Sequence, residues 1–298
     1  MTAKKTNSKT TNIIFKTVVF TVLTLYVLIL FSLMYLTLTT SFKSLFDLMN
    51  NKVGLPKEWI FKNYVDAFEM FNMVLPSKRK VYLGEMFWNT LLYAGGSAFF
   101  ATITPCLVAY CCAKFSVKLN KFIYGTVIVG MILPIVGALP SSIQVCKALG
   151  IFDTMIGMWI MKANYMGTYF LVFYGTFKSL SNEYKEAAII DGASDYCVLF
   201  KIVFPLVKSV MLATFVLNFI AFWNDYQTPM VFMSSYPTVA KGLNDLIGGN
   251  LPIDGTFNPQ HTPARMAAVV MTGLPVMVLF LFFQNKLMNN LTMGGVKG

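Results

Sequence analysis

The sequence predicts an all-α polytopic membrane protein with six transmembrane helices, and three observations carry that prediction. Apolar residues make up 56% of the 298-residue chain and charged residues only 12%, about half the charge of a soluble domain. Mean hydropathy is +0.62. Four runs hold no charge at all: residues 17–42, 86–113, 122–146 and 266–285. Each is long enough for a helix to cross a bilayer, which takes roughly 20 apolar residues.

The N-terminal tail carries Lys4, Lys5, Lys9 and Lys16. The run behind it is too long for the core of a signal peptide and lacks a small-residue cleavage site. An uncleaved first span at 17–42 is therefore expected. Residues 43–85 mix acids, bases and aromatics and are too polar to span. Within them Tyr64, Ala67, Phe68 and Phe71 fit one face of an amphipathic helix. The second span is 86–113. The third, 122–146, contains Pro134, Gly137 and Pro140, which predict a bent or broken helix. The fourth, 155–177, and the fifth, 205–224, each carry one lysine near an end, Lys162 and Lys208, placed to snorkel to the interface. The sixth is 266–285. Three divisions follow: 1–85 (tail, first span and external segment), 86–285 (a core of five spans) and 286–298 (a C-terminal tail).

Basic residues set the orientation. With both termini inside, the inner segments hold Lys114, Lys118, Lys121, Lys178, Lys185, Lys201, Lys208, Lys286 and Lys297 besides the tail lysines, 13 of the 24 Lys and Arg. Lys78, Arg79 and Lys80, on the outer side, run against that assignment. The net charge of +11 is spread over loops rather than gathered in a stripe with aromatics, so it reads as membrane anchoring and not as nucleic-acid binding.

Catalytic chemistry finds few candidates. His261 is the single histidine and reads as a solvated loop side chain. The five cysteines have neither zinc nor redox spacing, so no metal site is expected. There is no phosphate-binding G-x-x-x-x-G-K-[ST] loop. No span carries an acid near its middle, where ion-coupled carriers commonly place one. Uphill transport by this chain would draw its energy from another subunit.

One polar stretch interrupts the apolar sequence, EAAIIDGASDYCVLFKIVFPLV from Glu186. Ser181 or Asn182 can cap a helix from about Glu183 to Ile190. Glu183 and Glu186 suit the positive end of its dipole. Gly192 can end it in the left-handed conformation. Ser194 can cap a second helix from near Asp195, on which Tyr196, Leu199, Phe200 and Val203 make an apolar stripe for packing against the same protein. Pro205 fits the first turn of the fifth span. Read from the residues alone, the element is either an amphipathic connector on the inner leaflet or a docking element for another protein.

The run Glu186-Ala187-Ala188, then Asp191-Gly192-Ala193, then Ile202 and Pro205 resembles the EAA loop of ATP-binding-cassette (ABC) importer permeases, here residues 181–205. Gly54-Leu55-Pro56-Lys57-Glu58-Trp59 with Phe61, Asn63-Tyr64 and Ala67-Phe68 is similar to the first external segment of the smaller membrane subunit of maltose-type transporters. Trp223-Asn224-Asp225-Tyr226 with Pro229 resembles the end of that subunit's fifth span. Gln284, Leu291-Thr292 and Gly295-Val296-Lys297-Gly298 resemble its tail. Phe204 stands where the pattern has leucine, and Asn290 where it has glycine.

The resemblance implies a type I ABC importer permease fold with cytoplasmic coupling helices, in a bacterial inner (cytoplasmic) membrane, with both termini cytoplasmic. The implied partners are a second permease subunit forming a heterodimer, a dimeric ATP-binding-cassette ATPase, an extracytoplasmic solute-binding protein and membrane lipid, with no nucleic acid and no cofactor in this chain. It also implies that Glu186, Ala187, Ala188, Asp191, Gly192 and Ala193 form the ATPase-coupling element, Glu186 making polar contacts, the alanines allowing close approach and Gly192 setting the angle. The solute would be a sugar, probed by hydrogen-bonding and flat aromatic side chains. Candidates for its path are Asn89, Tyr93, Ser141, Gln144, Asn164, Tyr165, Asn218, Trp223 and Asn224. The same residue types also serve as interfacial anchors and helix-to-helix hydrogen bonds. A permease for a glycerol phosphodiester, an ion-coupled carrier and a scaffold without transport remain alternatives.

Overall fold

The structure is a computed structural model that describes residues 3–115, 118–133, 137–248 and 261–291. Pro134, Thr292 and the terminal Gly295–Gly298 of the sequence reading lie outside the described residues. The elements run α1 (Ala3–Ser41), α2 (Leu45–Asn50), α3 (Lys62–Met70), β1 (Asn72–Val74), β2 (Lys80–Tyr82), α4 (Leu83–Lys114), α5 (Leu119–Ile132), α6 (Ala138–Ala148), α7 (Met155–Lys162), α8 (Thr168–Ser179), α9 (Glu183–Ile190) and α10 (Asp195–Cys197). A π-helical turn (Val198–Val203) then leads into α11 (Phe204–Trp223), followed by α12 (Gln227–Phe232), α13 (Val239–Gly248) and α14 (Thr262–Leu291). The chain forms two compact units, Met1–Met70 with Pro252–Met271, and Phe71–Leu251 with Thr272–Gly298.

Among the described residues four helices are long and apolar enough to cross a membrane: Asn12–Ser41, Leu83–Lys114, the continuous run Asp195–Trp223, and Thr262–Gln284. The other two expected spans are not single helices. Residues 122–146 divide at Gly137, whose φ of 79° closes the way for a continuing helix. Pro140 falls in the first turn of α6, where its missing N–H costs nothing. Residues 155–177 divide into α7 and α8 around Asn164, whose side-chain oxygen accepts the Met166 amide at 2.9 Å in a local turn. With 14 residues, α5 is about 21 Å long, short of the roughly 30 Å hydrocarbon core.

In the first unit, α1 is exposed along residues 12–35 and becomes buried only at Thr39–Ser41. The segment that follows winds around Phe42. That ring lies 5.1 Å from Trp59, 5.3 Å from Phe61 and 5.1 Å from Tyr64. The Lys43 side chain is fully buried, and its ammonium donates to the Asn51 carbonyl at 2.7 Å. Asn63 donates to the carbonyls of Ser41 and Lys43, both at 2.9 Å. Of the expected amphipathic helix, α3 buries Ala67, while Phe68 faces outward.

The second unit opens with a small antiparallel hairpin, an exception to the all-α expectation, with Met73 opposite Val81. The basic triplet that ran against the orientation lies at this hairpin, Lys78 and Arg79 in its turn and Lys80 opening β2. Lys78 takes a positive φ of 62°, and Arg79 holds Glu85 through two bonds of 2.8 and 2.7 Å. The central helix is α4, with α7, α8 and α11 packed along it. Small residues permit close approach, as is common between spanning helices. At Gly96 a methyl group would meet the Trp159 ring of α7 at 2.2 Å. Trp159 donates its indole N–H to the Leu92 carbonyl at 3.0 Å. Ala94 and Ala98 of α4 pack with Phe219 and Trp223 of α11. A second cluster joins Cys106, Ala109, Tyr110 and Cys112 of α4 to Phe170, Phe173 and Phe177 of α8.

Candidate functional site

The polar stretch folds as a local instruction. Helix α9 spans Glu183–Ile190, the range read from the sequence, with Glu183 and Glu186 in its first turn. Of the two candidate caps it is the Ser181 hydroxyl that accepts the Glu183 amide, at 3.2 Å. Asn182 has helical backbone angles and makes no cap bond; its side-chain oxygen instead accepts the Lys114 ammonium at 2.8 Å. At the other end the Gly192 amide donates to the Ile189 carbonyl at 3.0 Å and the Ala193 amide to Ala188 at 2.9 Å. Gly192 sits at φ 80°. This bond pair is a Schellman motif, which needs a left-handed residue at the position of Gly192 and an apolar contact across it. Ala188 and Ala193 supply that contact inside the chain's own core. Ser194 then caps the next helix by accepting the Cys197 amide at 3.3 Å.

Two expectations change here. The second helix is not a separate element: α10, the π turn and α11 form one continuous run from Asp195 to Trp223. The buried face is also different. Tyr196 and Phe200 are 78% and 59% exposed, whereas Val198, Val203 and Val207 are buried. The reason is the π turn, in which the Phe204 amide bonds to the Leu199 carbonyl five residues back. One residue more per turn makes the buried positions step by five and then four. Pro205 sits directly after it, where a regular helix would press its ring on the Lys201 carbonyl.

The outward face of α9 holds Glu183, Glu186, Ala187 and Ile190, spaced i, i+3, i+4, i+7 and all exposed. Ile190 is 85% exposed, and Tyr184 and Ile189 are exposed beside it. Ala188 faces inward, and Asp191 and Gly192 are exposed at the joint. Ile190 was missed in the sequence, although its i+4 spacing from Glu186 places it on the same face.

The candidate path residues separate into two groups. Asn89, Tyr93, Asn218 and Trp223 are buried and bonded within the chain. Asn89 donates to the Pro237 carbonyl at 3.2 Å, Asn218 to the Thr102 hydroxyl at 3.2 Å, and Trp223 to the Thr272 carbonyl at 3.4 Å. Tyr93 donates to Asp225 at 2.8 Å. Gln144, Asn164 and Asn224 are exposed, with Ser141 exposed and Tyr165 half-buried.

Asp225, just past the end of α11, joins four elements. It accepts Tyr93 of α4, the Thr228 amide of α12 at 3.0 Å, and Lys162 of α7 at 3.5 Å. Lys162 also donates to the Thr228 hydroxyl at 3.1 Å and lies 5.0 Å from the Phe222 ring centroid. Burial alone would raise the Asp225 carboxyl. Hydrogen bonds from Thr228 and Tyr93 and the Lys162 charge outweigh burial and hold it below the usual carboxylate range.

Residues 101–289 match the family described as "Binding-protein-dependent transport system inner membrane component". That range contains α9, its glycine joint and the whole of α11. The chain belongs to this family. The melibiose/raffinose/stachyose import permease protein MelC of Bacillus subtilis (strain 168) is 32% identical over 89% of this chain and 90% of its own length. The diacetylchitobiose uptake system permease protein NgcG of Streptomyces coelicolor is 24% identical over 88% of this chain and 82% of its own. A solved structure of a bacterial ABC transporter involved in the import of the acidic polysaccharide alginate superposes with a TM-score of 0.73, covering 91% of this chain and 96% of that one at 21% identity. The fold is thus that of a permease of this family, a multi-pass membrane protein.

Proposed function

We propose that this chain is a permease subunit of an ATP-driven importer of a di- or oligosaccharide, working with a second permease, a dimeric ATPase and an extracytoplasmic solute-binding protein. Both termini are cytoplasmic in this reading, and the divisions at 85 and 285 separate the external segment and tail from the transporting core. The relatives named for melibiose, raffinose, stachyose and diacetylchitobiose support the solute class.

One observation carries the mechanism: α9 presents a nearly bare face and is joined by a fixed left-handed turn to a helix that runs unbroken to Trp223. A displacement of α9 by the ATPase travels into that helix. Glu186 and Ile190 are the docking contacts, Ala187 lets the partner approach, and Ala188, Asp191, Gly192 and Ala193 hold the angle. ATP binding and hydrolysis then bias a two-state permease between outward-facing and inward-facing forms. Gln144, Asn164 and Asn224 are proposed to meet the sugar directly. Asn89, Tyr93, Asn218 and Trp223 reach it by exchanging their present bonds.

The test is uptake of labelled raffinose and melibiose by vesicles reconstituted with all subunits. ATP-dependent accumulation is expected. Accumulation driven by an ion gradient without ATP contradicts the proposal.

A further inference from the structure

The route into α11 leaves the central helix unaddressed, although α4 carries most of the second unit's packing. Two lysines close that gap. Lys114, the last residue of α4, donates to the Leu180 carbonyl at 2.6 Å and to the Asn182 side-chain oxygen at 2.8 Å. Leu180 is the C-cap of α8 and Asn182 the N-cap of α9, so one ammonium holds the short joint between the two helices. Lys185, on the inward face of α9, lies 3.9 Å from the Phe115 ring centroid and 3.7 Å from Asp195. It therefore ties α9 both to the end of α4 and to the start of the next helix.

The α4 end is itself held in place. Phe115 packs edge-on against Tyr110 at 5.7 Å, and Tyr110 against Phe177 at 5.5 Å. Asn120 donates to the carbonyls of Cys112 and Phe115. Along α4, which is 32 residues long, the path from Lys114 to Tyr93, Thr90 and Asn89 covers about 32–38 Å. Thr90 accepts the Val239 amide at 2.8 Å, and Tyr93 and Asn89 hold Asp225 and Pro237.

We propose that Lys114 and Lys185 are positioning residues that clamp α9 to α4, so that a push on α9 moves α4 together with α11. The clamp uses lysines on the inward side, and the outward carboxylates Glu183 and Glu186 form no ion pair among the described residues. They stay available to a docking partner. The proposal rests on the coupling function assigned above to α9.

The experiment compares Lys114→Met, Lys185→Met, the double variant and Lys114→Arg in the complete reconstituted transporter, measuring ATPase rate, sugar uptake and copurified ATPase in each. Lys114 donates a charge-assisted bond, and losing such bonds corresponds to about a tenfold change. Uptake per ATP hydrolysed is expected to fall about tenfold in the double variant at unchanged ATPase copurification. Arginine at 114 is expected to restore it. Unchanged uptake per ATP in the double variant overturns the proposal.

A second measurement decides the matter if the double variant does not assemble. Spin labels on the exposed Cys111 of α4 and on Ile189→Cys of α9, exposed and not one of the docking contacts, report their separation in protein that keeps both lysines. The distance is expected to stay fixed when ATP is added, and a shift of several ångströms overturns the clamp. Gly192→Pro separates the two readings. If it uncouples while the double variant does not, only the clamp fails. If it also transports normally, the coupling function fails with it.

Discussion

Replacing Asp225 with asparagine removes one charge from a site where four elements meet. Asp225 and Lys162 lie 3.5 Å apart, with side chains 19% and 23% exposed. At an effective dielectric of 20 their attraction is about 5 kcal/mol, most of it offset by the cost of drying two charges. The 2.8 Å bond from Tyr93 to a charged acceptor adds about 1.5–3 kcal/mol. Asparagine keeps an oxygen for the Thr228 amide but leaves the Lys162 ammonium without its counter-charge. The expected net loss is about 2–3 kcal/mol, or roughly 4–12 °C in melting midpoint, read by thermal unfolding of the purified transporter. Lys162→Met should cost less, and the two changes together less than their sum, because the double variant leaves no orphaned charge. The depressed carboxyl also fixes a pH signature. Its contribution is complete above about pH 4, the unfolded value, and is lost as pH falls through the lower folded value. The gap between wild type and variant should therefore be flat from pH 5 to 8 and close in stronger acid. A variant within half a kcal/mol of wild type, or strictly additive effects, refutes the reasoning.

Two further perturbations test the packing. Gly96→Val forces side-chain atoms into the Trp159 ring that a single methyl already meets at 2.2 Å; overpacking of this kind costs about 1–3 kcal/mol, and a lowered melting midpoint is expected. Lys43→Met keeps the buried stem but strips the donor from the Asn51 and Lys52 carbonyls, at about 1–3 kcal/mol. Trypsin should then cut after Lys52 faster in detergent-purified protein, with cleavage elsewhere unchanged.

Local chemistry made α9 legible. Its start at Glu183 follows from a serine hydroxyl two residues earlier, and its end from one glycine, so the continuous stretch 181–193 determines both. The π turn was not legible. Pro205 reads as a first-turn proline, and only the observed Phe204–Leu199 bond shows that the turn before it is wider, which sets Tyr196 and Phe200 off the face of Val203. The break at Gly137 was legible in Pro134, Gly137 and Pro140, whereas nothing in the apolar run 155–177 registered the break around Asn164. The Asp225–Lys162 pair, Lys114 on Leu180 and buried Lys43 depend on tertiary placement. In the sequence Lys162 and Lys114 read as interfacial or loop charges. Trp223 and Asn218 carried the right residue types for a sugar, yet their observed bonds run to Thr272 and Thr102 within the chain.

The central claim is that α9 converts ATPase movement into permease movement through the Gly192 joint. Its most direct measurement is uptake per ATP hydrolysed, taken on the same vesicles, for wild type, Gly192→Pro and Glu186→Lys in the complete transporter. Both variants are expected to insert in the membrane and lose ATP-driven uptake, with hydrolysis no longer tied to transport. Wild-type uptake per ATP in both variants contradicts the claim.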